Sequence, residues 1–104
     1  MNRGMGMLGL CARAGKLITG EKACIQAIRS GGAYAVLLDG AASDNAVKAV
    51  SDACQSHGVP LARTGPWELG QAIGKPSRMA AAIVDAGMAA RVMGFFNVEQ
   101  IETK

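Results

Sequence analysis

The chain has 104 residues and a net charge of +3; half of its residues are apolar and 4% are aromatic. One domain of this length can bury a core without disulfides or metals, and no apolar run approaches the length needed to span a bilayer. Since no signal-peptide pattern opens the chain, we expect a soluble, cytoplasmic protein with one domain over residues 1–96 and a polar tail over residues 97–104.

The first half of the chain predicts two helices and two strands. A helical pattern over residues 3–14 ends at Gly15, a typical C-terminal glycine, and a short strand follows at residues 17–19. Residues 21–30 predict the second helix. The continuous apolar run at residues 33–38 is typical of a central strand that is covered on both faces.

The second half continues the alternation of helices and strands. Residues 43–57 predict a helix with a serine cap, a short strand follows at residues 59–62, and residues 66–73 predict a short helix. Residues 79–84 predict another apolar strand, and residues 87–93 the last helix. Four strands alternating with five helices predict an α/β fold, a three-layer α/β/α sandwich with a four-stranded sheet.

Side chains that often catalyse reactions or bind metals are scattered. Cys11, Cys24 and Cys54 lie on helical patterns beside apolar neighbours and form no C-x-x-C pair, so they are predicted to be buried thiols. The single histidine, His57, ends a helix and has no nucleophile at a recognisable spacing. The carboxylates form no paired motif. We therefore expect a protein that is not an enzyme and needs no metal or cofactor.

The charges are distributed unevenly along the chain. Residues 1–30 carry one acidic side chain, Glu21, against the basic side chains Arg3, Arg13, Lys16, Lys22 and Arg29. Residues 39–52 carry one basic side chain, Lys48, against Asp39, Asp44 and Asp52. This asymmetry suits a nucleic-acid face, and ordinary solvated charge explains it equally well.

Residues 13–22 contain the first candidate binding site, because a helix begins after Gly20 with lysines on both sides. The free N–H groups of a helix start attract an anion or a polynucleotide backbone. The spacing from Gly15 to Gly20 is that of a nucleotide-binding Walker loop. However, Glu21 and Lys22 stand where that loop needs Lys followed by Ser or Thr, and a helix rather than a strand precedes it. Nucleotide hydrolysis is therefore disfavoured.

A second candidate loop covers residues 69–78 and joins a short helix to an apolar strand. It carries Lys75 and Arg78 close to a glycine. One interpretation is a polar turn with a glycine C-cap. The other is that this loop converges with the first one, since loops at the same end of an α/β sheet can share a ligand.

Three sequence blocks resemble a known family. Residues 8–17 (LGLCARAGKL), Gly20-Glu21 and residues 69–76 (LGQAIGKP) resemble, in this order, the kink-turn RNA-binding ribosomal proteins of the L7Ae type, especially their small bacterial YlxQ-type members. The resemblance spans residues 3–95. It implies an α/β/α sandwich with a mixed four-stranded sheet. It also implies a non-catalytic, ribosome-associated protein that binds structured, kink-turn-like RNA, with ribosomal or other proteins as further partners.

The resemblance also implies a site at the start of the second helix. RNA-binding members use a Gly-x-Asn-Glu-type turn there, which meets the sheared G·A pairs of a kink-turn, and a lysine one turn later. In this chain Gly20 matches the glycine, Lys22 replaces the asparagine, Ala23 replaces a polar acceptor and Gln26 replaces the later lysine. Base-edge reading needs matched donors and acceptors, whereas phosphate attraction needs only cations, which Lys16, Lys22, Lys75 and Arg78 supply. We therefore expect RNA binding with reduced or altered kink-turn selectivity.

The predicted RNA-binding residues belong to the two glycine-containing loops and the helix between them: Lys16, Gly20, Glu21, Lys22, Gln26, Lys75 and Arg78. Glu21 either accepts from a guanine edge or complements the helix dipole. The alternative function is a protein–protein interaction module of the same fold that has lost specific RNA binding. Ala23, Gln26 and Gly40, which follows Asp39 where the family has an acidic pair, favour that alternative; the basic loops oppose it.

Overall fold

The computed structural model describes residues 3–96 and 98–99. Its helices, in chain order, are α1 (Arg3–Arg13), α2 (Glu21–Arg29), α3 (Asp44–His57), α4 (Glu68–Ile73) and α5 (Ala86–Met93). Its strands are β1 (Leu17–Thr19), β2 (Ala35–Leu38), β3 (Leu61–Arg63), β4 (Ala80–Ile83) and β5 (Val98–Glu99). The predicted alternation is confirmed. None of the helices in this part of the chain combines the length and hydropathy that a membrane crossing requires.

The four predicted strands form a mixed sheet, and β5 extends it. The order is β1-β4-β2-β3-β5, with β4 antiparallel to both of its neighbours and β2 parallel to β3. β5 pairs antiparallel with β3 and lies inside the predicted polar tail. The remainder of that tail, residues 97 and 100–104, lies outside the described residues.

Helices cover both faces of the sheet, as a three-layer sandwich requires. Because side chains alternate along a strand, Val36 and Leu38 of β2 pack against α2 and α3, whereas Leu37 packs against α1, α4 and α5. All four residues of β4 are buried, and three of them are alanines, which lets helices approach the centre of the sheet closely. The predicted burial of the three cysteines, Cys11, Cys24 and Cys54, is confirmed.

The strand directions bring four connections to one end of the sheet. β1, β2 and β3 end there and β4 begins there, because β4 runs opposite to β1 and β2 while β3 is parallel to β2. We call this end the loop edge and define it by its connecting residues, namely residue 20 and residues 39–43, 64–67 and 74–79. Both candidate loops of the sequence contribute residues to it.

Candidate nucleic-acid interface

Gly20 turns the chain from β1 into α2 within one residue. Its φ of 101° and ψ of 146° lie in a region that only glycine adopts readily. Its N–H donates to the carbonyl of Ala80 at 3.0 Å, and its own carbonyl accepts from the N–H of Cys24 at 2.9 Å. No side chain caps the start of α2 in the described structure. The helix therefore begins abruptly at the end of the sheet, beside the first residue of β4.

The guanidinium of Arg78 lies against Gly20. A Cβ atom built on Gly20 would be 3.3 Å from Nη1 of Arg78. Gly20 and Arg78 are 58 residues apart in the sequence (78 − 20). Their contact therefore brings the two candidate loops together in space. An open groove of about 310 Å³ runs beside this contact, between the starts of α2, α3 and β4. Its exposed lining includes Glu21, Ser43 and Ser77.

The loop that carries Arg78 is packed tightly onto α4. The N–H of Lys75 donates to the carbonyl of Gly70 at 2.9 Å, and the N–H of Arg78 donates to the carbonyl of Lys75 at 3.0 Å. A Cβ atom on Gly70 would lie 2.6 Å from the Lys75 carbonyl oxygen and 2.7 Å from atoms of Pro76. Only glycine at position 70 allows this approach, so α4 fixes the backbone from which Lys75 and Arg78 project.

Polar side chains continue from the loop edge along α2. Lys22, Gln26 and Arg29 are exposed, and together with the half-buried Ile25 they line one shallow depression. Their spacing of three and four residues places them on one face of the helix. Arg29 was absent from the predicted site. Its position seven residues after Lys22 is the signal that could have identified it.

Lys16 lies at the other end of the sheet. Its carbonyl accepts from the N–H of Val84, just beyond the end of β4, at 3.0 Å, whereas Gly20 pairs with Ala80 at the start of that strand. The extended strand β1 separates Lys16 from Gly20 by about 13 Å, at roughly 3.3 Å per residue. This corrects the predicted grouping of Lys16 with the start of α2. Of the predicted residues, Gly20, Glu21, Lys22 and Gln26 lie at the start of α2 and along it, and Arg78 rests against Gly20. Lys75 belongs to the same turn as Arg78, whose N–H donates to the Lys75 carbonyl.

Asp39 is a fully buried carboxylate at the end of β2. Its oxygens accept from the N–H groups of Ala41 at 2.8 Å, Trp67 at 2.7 Å and Leu69 at 2.9 Å, and from the hydroxyl of Thr64 at 3.1 Å. Burial alone would raise the pKa of Asp39, but these hydrogen bonds together outweigh it and lower that pKa below its usual value. The ionised carboxylate therefore ties the loop between β3 and α4 to the end of the central strand.

Trp67 ends this tied loop. Its φ of 65° makes it the one non-glycine residue with positive φ among residues 3–96 and 98–99, and 61% of it is exposed. The loop after β2 packs closely against the loop of Trp67. A Cβ atom on Gly40 would lie 2.9 Å from the Thr64 carbonyl oxygen and from the Pro66 nitrogen. The residue pattern does not reveal the hydrogen bond between Asp39 and Trp67, because it joins two loops that are far apart in the sequence.

The chemistry at the loop edge suits binding. Lys22, Lys75 and Arg78 are exposed cations, and Arg78 lines the groove beside Gly20. No group of three or more potential metal ligands occurs in the described part of the chain. Burial, with a smaller contribution from nearby Cys54, raises the pKa of the Cys24 thiol to about 12, so this thiol is protonated at neutral pH. Exposed cations on two converging loops of an α/β sandwich suit an anionic partner.

The sequence matches the Ribosomal protein L7Ae/L30e/S12e/Gadd45 family over residues 3–93, and the chain belongs to this family. Among its relatives is the RNA-binding protein YlxQ of Bacillus subtilis (strain 168), which is 37% identical over 92 residues, or 88% of this chain and 92% of that protein. The RNA-binding protein YlxQ of Enterococcus faecium is 42% identical over 88 residues, or 84% of each chain. The predicted family resemblance is confirmed, and so is the prediction that the chain is not an enzyme.

Solved structures share the fold. A protein of unknown function from Bacillus halodurans C superposes with a TM-score of 0.87 at 32% identity, covering 91% of this chain and 97% of that one. The 15.5kD RNA binding protein of Giardia lamblia superposes with a TM-score of 0.73 at 21% identity, covering 86% and 81% of the two chains. The predicted α/β fold is thereby confirmed.

Proposed function

We propose that this protein binds structured RNA at the loop edge and along the exposed face of α2. The observation that carries this proposal is the contact between Arg78 and Gly20, which joins the two cationic loops around one groove. The names of the two YlxQ relatives, both RNA-binding proteins, support it. Lys16, at the opposite end of the sheet, is left outside the proposed interface.

Each part of the interface has a distinct role in this proposal. Lys75 and Arg78 attract phosphates, while Gly20 lets the RNA backbone approach the start of α2 closely. Lys22, in the first turn of α2, reaches base edges, and Gln26 follows one turn later. Glu21 complements the positive end of the helix dipole. If three to five phosphates are neutralised, the affinity falls with salt on a log–log slope of about −2 to −4.

The finer proposal concerns the kind of RNA. The target is a kink-turn-like RNA, bound with reduced selectivity, and the protein acts in the cytoplasm in association with the ribosome. Reduced selectivity follows from Ala23 and Gln26, which are both exposed on α2. Ala23 has no hydrogen-bonding side chain and Gln26 has no charge, so base edges receive fewer matched groups while the cations for phosphates remain.

A titration with two RNAs tests the proposal. One RNA carries a kink-turn and the other is a straight duplex of equal length, and both are followed by electrophoretic mobility shift at two salt concentrations. We expect binding to both, a modest preference for the kink-turn and a steep loss of affinity with salt. Absence of binding to either RNA would overturn the proposal and favour the alternative, a protein–protein interaction module of the same fold.

A further inference from the structure

We propose that Trp67 stacks on an unpaired base of the bound RNA, and that Asp39 is the positioning residue that holds Trp67 in place. This inference rests on the proposed RNA binding and specifies part of its target. The RNA would carry an exposed base face next to its structured element, because an indole ring can stack only on a base whose face is free.

The first observation is the conformation of Trp67. Bulky residues rarely adopt positive φ, and such strain persists only where surrounding contacts determine it. Those contacts are present, because the N–H of Trp67 donates to Asp39, and the adjoining Gly65 N–H donates to Oε1 of Glu68 at 3.0 Å. The backbone of this loop is thus fixed on both sides of Pro66, while Trp67 itself is 61% exposed. Residues held in this way cluster at ligand sites.

The second observation is the link between Trp67 and the cationic loop. The N–H of Asp39 donates to the carbonyl of Met79 at 2.8 Å, and Met79 directly follows Arg78. One buried residue therefore bonds both the loop of Trp67 and the loop of Arg78. Three strand spacings of about 4.8 Å separate the ends of β1 and β3, so Gly20 and the Trp67 loop lie roughly 14 Å apart.

The charges around Trp67 favour a nucleic acid as the occupant. Lys75 and Arg78 lie on the neighbouring loop, so a polymer with phosphates on one side and bases on the other fits this edge. Stacking on an aromatic ring needs no particular base, which agrees with an interface that has few matched hydrogen-bonding groups.

The sole tryptophan of the chain makes this contact directly measurable, because all tryptophan fluorescence arises from Trp67. The probes are two kink-turn RNAs, one blunt-ended and one with a short single-stranded adenosine extension. We expect the extended RNA to quench the fluorescence more strongly than the blunt RNA. We also expect Trp67→Ala to weaken binding of the extended RNA about tenfold and to leave the blunt RNA unchanged, whereas Trp67→Tyr keeps most of the affinity.

Tyr34 supplies the matched control. It is 49% exposed but lies just before β2, at the opposite end of the sheet, where its N–H donates to the carbonyl of Ile83. Tyr34→Ala is therefore expected to bind both RNAs as the unchanged protein does. Asp39→Asn is expected to lose the preference for the extended RNA while still binding the blunt RNA, a split that a general loss of folded protein would not produce.

The outcomes separate this inference from the proposed function. If Lys22→Ala and Arg78→Ala weaken binding but Trp67→Ala changes nothing, the stacking contact is refuted and RNA binding stands. Equal weakening of both RNAs by Trp67→Ala would refute stacking on the single-stranded extension, because the contact would then lie within the kink-turn that both RNAs share. If the unchanged protein binds neither RNA, both the proposed function and this inference fail.

Discussion

The backbone nitrogen of Trp67 lies 2.7 Å from a carboxylate oxygen of Asp39, a residue 28 positions earlier in the chain. This hydrogen bond connects the fully buried end of the central strand to an exposed aromatic side chain. A buried carboxylate is costly unless it is fully hydrogen-bonded, and Asp39 receives donors from several loop residues. The shape of the loop edge therefore depends on one charged group.

Replacing Asp39 by Asn is expected to lower the free energy of unfolding by about 2 to 3 kcal/mol. The amide group of Asn would turn its NH₂ toward backbone N–H donors, leaving at least one buried donor without an acceptor. Urea denaturation followed by circular dichroism measures the change. Asp44→Asn is the control, because Asp44 is exposed in the first turn of α3 and its loss is expected to cost less than about 1 kcal/mol. Equal effects of the two changes would contradict the role assigned to Asp39.

The lowered pKa of Asp39 also predicts how the stability of the folded protein depends on pH. Its pKa is lower in the folded protein than in the unfolded chain, where an aspartate titrates near about 4. Its stabilising contribution is therefore complete above about pH 4 and is lost as the pH falls through the lower, folded pKa. Urea midpoints measured from pH 6 to pH 3 are expected to fall more for the unchanged protein than for Asp39→Asn. Parallel curves would refute this linkage.

Because Lys22 is proposed to reach base edges, Lys22→Ala is expected to weaken binding of the kink-turn RNA by about 1 to 3 kcal/mol and binding of the duplex by less. Equal weakening of both RNAs, with the magnitude of the log–log salt slope reduced by about 1, would instead mean that Lys22 contacts only a phosphate. Lys16→Ala removes the same charge at the opposite end of the sheet and is expected to change the affinity little. A comparable loss for Lys16→Ala would mean that the RNA covers a different surface. Mobility-shift titrations of both variants measure these effects.

Gly20→Ala is expected to destabilise the fold by about 1 to 3 kcal/mol, because alanine cannot adopt a φ of 101° without strain. The new methyl group would also displace the Arg78 guanidinium, so RNA affinity is expected to fall as well. Gly6→Ala is the control. Gly6 lies in α1 with open space where its Cβ would be, so alanine there is expected to stabilise by about 0.5 to 1 kcal/mol. Thermal unfolding of both variants provides the comparison.

Gly70→Ala tests the support of the second loop. Its methyl group would meet the Lys75 carbonyl oxygen at 2.6 Å, so either α4 or the loop must move. We expect a destabilisation of about 1 to 3 kcal/mol and a weaker affinity for RNA. The exposed side chain of Arg78 contributes little to the core. Arg78→Ala is therefore expected to weaken RNA binding with little change in stability. If Gly70→Ala binds RNA normally, the position of this loop is unimportant for binding.

The amino-acid sequence by itself determines the elements of this protein and the family to which it belongs. Helices and strands follow from local periodicity and from glycines at helix ends, which is why the order of nine elements is readable from residue patterns. The short strand β5 is the exception. Its two residues, Val98 and Glu99, are too few for a periodic signal, and the strand exists through pairing with β3.

Only the tertiary structure decides which of the candidate side chains meet. Lys16 is four residues from Gly20 and yet lies at the other end of β1, while Arg78 is far away in sequence and rests against Gly20. The bond from Trp67 to Asp39 is likewise invisible in any local pattern. The reason is physical: local residue patterns encode the conformation of each segment, whereas strand order and direction determine which segment ends share an edge of the sheet.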